Sequence, residues 1–305
     1  MIEVKTLTSN YLEYCRYQKN LNCKTLKAYT IDLKQFSEFM NNYDELNRAS
    51  LSNYIAMLHK AYKPKSVKRK IASLKAFCSY LEYEEIIEEN PFTKIKVKFQ
   101  EPFILPKTIP INIIQLLLSS VYQLLRKKDV SEYRRNTILR DIGVLELLFA
   151  TGIRVSELCS LTDKDIDLFE GTVRIYGKGS KERIVQIGNL AVLAALKNYK
   201  NAFNDKILQA GYFFVNRLHS RLSEQSVRMM INKYVNTAGV SSHITPHMFR
   251  HSFATLLLEE DVDIRYIQKL LGHSSIVTTQ IYTHVASSKQ RDILTLKHPR
   301  NKIKV

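Results

Sequence analysis

The sequence predicts a mainly α-helical protein of two domains, the second an α+β domain with a small antiparallel sheet. Three observations carry that reading. The first hundred residues repeat apolar side chains at the helical period. A stretch holding three of the seven prolines, Val97 to Pro110, then interrupts the pattern. Beyond it, two short alternating runs flank the segment Gly177-Lys178-Gly179-Ser180-Lys181 within otherwise helical sequence.

The first domain spans residues 1–98. Thr25 to Met40 sets Leu26, Tyr29, Leu33, Phe36 and Met40 on one stripe. Ser50 is a candidate cap for a helix carrying Leu51, Tyr54, Ile55 and Leu58. The next helix starts near Pro64, a residue tolerated in a first turn, with Val67, Ile71, Leu74, Cys78 and Leu81 as its inner face. Lys65, Lys68 and Lys75 fall on another side of this helix, with Arg69 beside them. From Lys60 to Lys75 there are seven cations and no acid, so interleaved salt-bridge partners are missing and contact with phosphates is the better reading.

Residues 99–110 form a linker, because Pro102, Pro106 and Pro110 preclude a regular helix and favour an extended chain. The second domain, 111–305, mixes helices and strands. Arg140 to Thr151 is an apolar helix, expected to be buried, and Gly152 ends it. Arg154-Val-Ser-Glu157-Leu opens the next. Thr172 to Tyr176 and Arg183 to Ile187 alternate as strands of a hairpin. Ser223 caps a helix that runs to about Thr237.

Composition narrows the function. Among 305 residues, 45% are hydrophobic while glycine and proline are scarce, as in a globular chain. The formal charge of +17 exceeds what solubility needs and points to a polyanion, nucleic acid before membrane. It is shared as +6 over residues 1–98 and +11 over the remainder. No apolar run reaches membrane-spanning length, and MIEVKTLTSN lacks a signal-peptide core. Cys15, Cys23, Cys78 and Cys159 include no Cys-x-x-Cys pair, fitting free thiols in a reducing cytoplasm.

The chemistry concentrates between His243 and His284. His247 and Arg250, three apart, share a helix face. A helix from about Ile264 to Leu271 stops at Gly272, His273 follows, and Tyr282 comes nine residues later. An arginine fork grips a phosphodiester, a histidine moves protons near neutrality, and a tyrosine hydroxyl becomes a nucleophile when cations stabilise its anion.

His-x-x-Arg, Leu-Gly-His and the following tyrosine resemble the C-terminal signature of the tyrosine recombinases, the phage-integrase and Xer family. Thr-Gly-x-Arg154-x-x-Glu157-Leu resembles that family's first arginine motif, and Gly-Lys178-Gly on a hairpin its catalytic lysine. Thr-Leu-x-Ala-Tyr-x-x-Asp-Leu-x-x-Phe, residues 25–36, resembles the helical, SAM-like core-binding domain of Xer-like members. The arginine, the lysine, His-x-x-Arg, the second histidine and the tyrosine stand in that order between residues 154 and 282.

The resemblance implies a site-specific recombinase that cleaves and rejoins DNA through a 3′-phosphotyrosyl intermediate, without metal, ATP or other cofactor. Arg154 and Arg250 would clamp the scissile phosphate, Tyr282 would attack it, and Lys178 would protonate the leaving 5′-oxygen. His247 would accept the tyrosine proton or position the phosphate, and His273 would donate to a phosphate oxygen. Glu157 would orient Arg154. Lys65, Lys68, Arg69 and Lys75 would contact DNA. Partners would be double-stranded recombination sites occupied by four protomers, with the tail after Tyr282 docking on a neighbour. A second recombinase or accessory protein fits the same scheme. The setting would be bacterial cytoplasm or a phage or mobile element, on nucleoid DNA. The functions compatible with this pattern are integration, excision and chromosome or plasmid dimer resolution.

Alternatives stand beside these readings. Lys181 is the fallback for Lys178. His251 and His284 read as structural. His247 and His251 have the histidine spacing of HExxH without its glutamate, which argues against zinc. The rival classes are a DNA-binding protein that has lost catalysis and a relaxing topoisomerase with the same tyrosine chemistry.

Overall fold

A computed structural model describes residues 4–43, 45–95, 97, 105–177, 182–273 and 279. The chain divides into two compact units, Met1–Phe103 and Ile104–Val305.

The first unit is built from four helices: α1 (Val4–Tyr17), α2 (Cys23–Met40), α3 (Arg48–Ala61) and α4 (Pro64–Tyr83). Each buries a stripe at spacings of three and four. Leu7, Tyr11 and Cys15 meet Leu33, Phe36 and Met40, Leu51, Tyr54 and Leu58, and Val67, Ile71, Leu74 and Leu81 in one core. The helix starts are local chemistry. Asn22 accepts from the Lys24 N–H at 2.8 Å, and Pro64 fills the first turn of α4. The cap of α3 is Asn47 rather than the expected Ser50, which occupies the third helical position. Asn47 accepts from the Ser50 N–H at 3.0 Å, and the Ser50 hydroxyl accepts from the Asn47 N–H at 3.1 Å. A serine three residues on mimics a cap because it completes the reciprocal pair.

The cations of α4 have a partner that the helix's own sequence does not reveal. Asp32 on α2 is fully buried and accepts from Arg69, from Lys70 at 3.0 Å and from Ser73 at 2.9 Å. Lys70 also donates to Gln35 and is itself buried. Lys65, Lys68 and Lys75 lie on the exposed side, Lys75 with its ammonium 5.7 Å from the Phe92 ring centre.

The second unit is described from Leu105. Residues 105–110 hold no helix, and Pro110 precedes α5 (Ile111–Arg126). Then follow α6 (Glu132–Thr151), α7 (Val155–Ser160), a 3₁₀ turn at Asp163–Asp165, β1 (Ile166–Asp167), β2 (Thr172–Tyr176), β3 (Glu182–Gln186), α8 (Leu190–Ala210), α9 (Glu224–Thr237), α10 (Pro246–Glu259) and α11 (Ile264–Leu271). The strands form an antiparallel sheet in sequence order, with Val173 opposite Val185 and Ile175 opposite Arg183.

Helix α6 runs through the core. It is apolar around much of its circumference, and α5, α8, α9 and α10 pack on it. It starts two turns before the apolar run at Arg140, because Ser131 caps it and the polar segment Glu132 to Thr137 faces outward. Its two buried carboxylates are both satisfied. Asp141 accepts from the Tyr234 hydroxyl at 2.7 Å and Glu146 from the Tyr122 hydroxyl at 2.8 Å. Among the described residues, no helix is long and apolar enough to cross a membrane.

Candidate active site

The site begins where α6 ends. Gly152 sits in the left-handed region with φ 58°, and its N–H donates to Leu148 O at 3.1 Å. A Cβ there would lie 2.6 Å from the Phe253 ring, so only glycine permits the close approach of α10. The turn delivers Arg154 to the start of α7.

Glu157, in the first turn of α7, is 6% exposed and receives four N–H groups. Its Oε1 accepts from Arg154 Nη1 at 2.8 Å and Arg183 Nη1 at 3.1 Å. Its Oε2 accepts from the Arg154 backbone N–H at 3.0 Å and Arg183 Nη2 at 2.7 Å. Burial works to raise the Glu157 pKa. The Arg183 fork and its charge, followed by the Arg154 donors, outweigh that and hold it below the usual carboxylate range. The carboxylate therefore stays ionised between two guanidinium groups.

Arg250 projects from α10 and is 3% exposed. Its Nη1 donates to Gly152 O at 2.7 Å and its Nη2 to Leu271 O at 2.6 Å. It thus joins the Arg154 turn to the end of α11. That end is left-handed at Gly272, where the His273 N–H donates to Gln268 O at 3.1 Å. The Gln268 side chain donates to His273 O at 3.2 Å, and His273 Nδ1 lies 2.9 Å from the buried Thr279 hydroxyl.

The histidines are held neutral. Burial, then the charges of Arg250 and Arg154, lowers His273 to about 4. Burial, then His247 and Arg250, lowers His251 to about 4. His247 keeps an exposed side, yet partial desolvation and then Arg250, Arg228 and Arg154 also lower it. Neutral imidazoles beside fixed cations can accept a proton or donate one N–H to an oxyanion. A cleft of about 960 Å³, lined by Pro106, Ile109, Ile244 and Met248, reaches His247 and His251. Among the described residues, no group of three or more His, Cys, Asp or Glu is placed to hold a metal ion.

Of the residues singled out from sequence, Arg154, Glu157, His247, Arg250 and His273 therefore share one electrostatic neighbourhood. Lys178, its alternative Lys181, Tyr282 and the whole tail after it, including His284, lie outside the described residues. Lys65, Lys68, Arg69 and Lys75 belong to the first unit. One central residue, Arg183, was read only as the first residue of the second strand of the hairpin. The usable signal was its register, since it stands opposite buried Ile175 on the inner face of β3, where an unpaired cation is costly.

Residues 119–289 match the model of the phage integrase family, and residues 9–85 match its N-terminal SAM-like domain. A tyrosine recombinase of Agathobacter rectalis is 57% identical over 302 residues, covering 98% of each chain. The tyrosine recombinase XerC of Bacillus subtilis is 36% identical, again over 98% of each. The XerH recombinase in a post-cleavage complex with its palindromic difH substrate has the same fold, with a TM-score of 0.73, 24% identity, and coverage of 95% of this chain and 84% of that one. The chain belongs to the phage integrase family. It is an Xer-like tyrosine recombinase, which breaks and rejoins DNA at specific sites through a tyrosine intermediate.

Proposed function

We propose that Arg154, Lys178, His247, Arg250, His273 and Tyr282 act on one scissile phosphate. The Tyr282 oxygen attacks phosphorus, a 3′-phosphotyrosyl bond forms, and the 5′-oxygen leaves with a proton from Lys178. Arg154 and Arg250 neutralise the charge that builds on the equatorial oxygens. His273 donates to one of those oxygens, and His247, neutral at pH 7, takes the Tyr282 proton or positions the phosphate. Reversal by a different 5′-hydroxyl rejoins the strand. The phosphotyrosyl bond conserves the energy of the broken ester, so rejoining needs no nucleotide, and three cations supply the charge that a divalent ion gives in other nucleases. Glu157 orients Arg154.

The observation that supports this most is that buried Arg250 donates to Gly152 O at 2.7 Å and to Leu271 O at 2.6 Å, so one guanidinium fixes together the turn that carries Arg154 and the turn that precedes His273. Lys65, Lys68, Arg69 and Lys75 on the helical domain, residues 1–98, add phosphate contacts beyond the linker 99–110 and the catalytic domain 111–305. The partner is a double-stranded recombination site. The palindromic substrate of the XerH relative fits two protomers per site and four across two sites. The tail after Tyr282, with Ile293, Leu294 and Leu296, docks on a neighbouring protomer. A soluble cytoplasmic enzyme on nucleoid DNA suits the bacterial relatives.

The test is a nicked suicide duplex from the source genome, which traps the covalent intermediate. The wild-type chain is expected to form a protein–DNA adduct and Tyr282→Phe none, with DNA binding retained. An adduct that persists in Tyr282→Phe would overturn the assignment of the nucleophile.

A further inference from the structure

Glu157 poses an electrostatic problem for the reaction. A buried carboxylate 2.8 Å from Arg154 competes with the scissile phosphate for the same guanidinium. Arg183 resolves it. Its Nη1 and Nη2 meet both Glu157 oxygens, so one carboxylate is matched by two guanidinium groups and the trio keeps a net positive charge. Exposure divides the labour, since the Arg154 side chain is 33% exposed and the Arg183 side chain 9%. Arg154 faces outward while Arg183 stays behind it.

Arg183 has a second anchor. Its Nε donates to Leu270 O at 2.9 Å, one of the carbonyls that the end of α11 leaves without a helical partner. Its side chain crosses Gly272 so closely that a Cβ there would lie 3.0–3.3 Å from three Arg183 atoms. The residue after Gly272 is His273. A single side chain on β3 therefore ties the Arg154 helix to the turn that presents His273.

We propose that Arg183 is a positioning residue of the recombination reaction: it neutralises Glu157 and anchors the end of α11, so that Glu157 does not use up the Arg154 guanidinium and it remains available for the scissile phosphate. The inference rests on the active-site assignment given above. Without Arg183, the buried Glu157 would draw the Arg154 fork fully onto itself. Arg183→Gln should then slow single-turnover adduct formation on the suicide duplex at least tenfold, with the DNA dissociation constant within threefold of wild type, because Arg183 is too buried to touch DNA. Adding Glu157→Gln to Arg183→Gln should restore at least threefold of the lost rate, since a neutral amide no longer competes for Arg154.

Arg183→Lys, which keeps the charge but cannot span both Glu157 and Leu270, should fall between wild type and Arg183→Gln. Far-ultraviolet circular dichroism and urea midpoints identify folded variants, and Arg183→Lys carries the comparison if Arg183→Gln does not fold. Three results would overturn the proposal: a folded Arg183 variant with the wild-type rate, a double variant no faster than Arg183→Gln, or a loss confined to DNA affinity. A wild-type chain that forms no adduct would instead sink the active-site assignment, and this inference with it.

Discussion

Arg183 and Arg250 donate to adjacent carbonyls of one helix end, Leu270 O at 2.9 Å and Leu271 O at 2.6 Å. The C-terminus of α11 carries partial negative charge and unpaired carbonyl oxygens. Two guanidinium groups satisfy both needs and hold the helix end against the Gly152–Arg154 turn.

Arg250→Lys should separate the two duties of that side chain. A lysine keeps the charge but has no planar fork to bridge Gly152 O and Leu271 O. One buried carbonyl is left unpaired, at a cost of about 1–3 kcal/mol. Adduct formation should fall about 100-fold or more, on the scale of a lost oxyanion donor. Urea denaturation and the suicide-duplex assay measure the two effects, and an unchanged urea midpoint would contradict the bridging role.

Gly152→Ala and Gly211→Ala form a matched pair. Both glycines have left-handed backbones, φ 58° and 70°, so alanine costs about 1–2 kcal/mol at either. A Cβ at Gly211 meets nothing within 4 Å, whereas at Gly152 it meets Phe253 at 2.6 Å. Overpacking adds about 1–3 kcal/mol at Gly152 alone. Chemical denaturation should rank Gly152→Ala as clearly the less stable, and equal losses would show that α10 yields freely.

Stability should fall as pH drops below 6.5. His251 and His273 hold folded-state pKa values of about 4, against 6.5 when unfolded, and His247 is lowered as well. Between 6.5 and 4 the unfolded chain binds more protons than the folded one, so the stabilisation is complete above 6.5 and lost towards 4. Glu146, raised by burial despite its Tyr122 hydrogen bond, opposes this trend in the acid range, one group against three. Urea midpoints from pH 7.5 to 5 should decline, less steeply in His273→Gln, and a rising midpoint would refute the assignment.

The first unit separates packing charges from surface charges. Asp32→Ala leaves buried Lys70 without its carboxylate and should destabilise this unit by about 3–5 kcal/mol. Lys65→Ala and Lys68→Ala, on the exposed side of α4, should change stability by no more than about 1 kcal/mol. If they contact phosphates, each should reduce the slope of log affinity against log salt by about one. A slope that stays at the wild-type value in both would remove them from the DNA surface.

Much of this molecule was legible from local rules. Ser223 capping a helix to Thr237, Thr172–Tyr176 as a strand, and Gly152 and Gly272 as stops all depend on chemistry within a few residues. Ser50 was misplaced by three positions because a capping box offers two plausible starts. The α4 cations seemed to lack acids because Asp32 is 37 residues from Arg69. Arg183 was overlooked because a hairpin full of cations hides the one that turns inward.

The sequence alone determined the order and chemical identity of the candidate site residues, most of the places where helices start and stop, and the positive charge that suits DNA. Backbone propensity and side-chain chemistry act over a turn or two, so they survive in the linear text. Only the tertiary structure decided that Glu157 is shared between Arg154 and Arg183, and that Arg250 joins Gly152 to Leu271 across 98 and 21 residues of chain. Those partners are chosen by which surfaces pack together and which buried polar atoms must then be satisfied, and no periodicity along the chain records that choice.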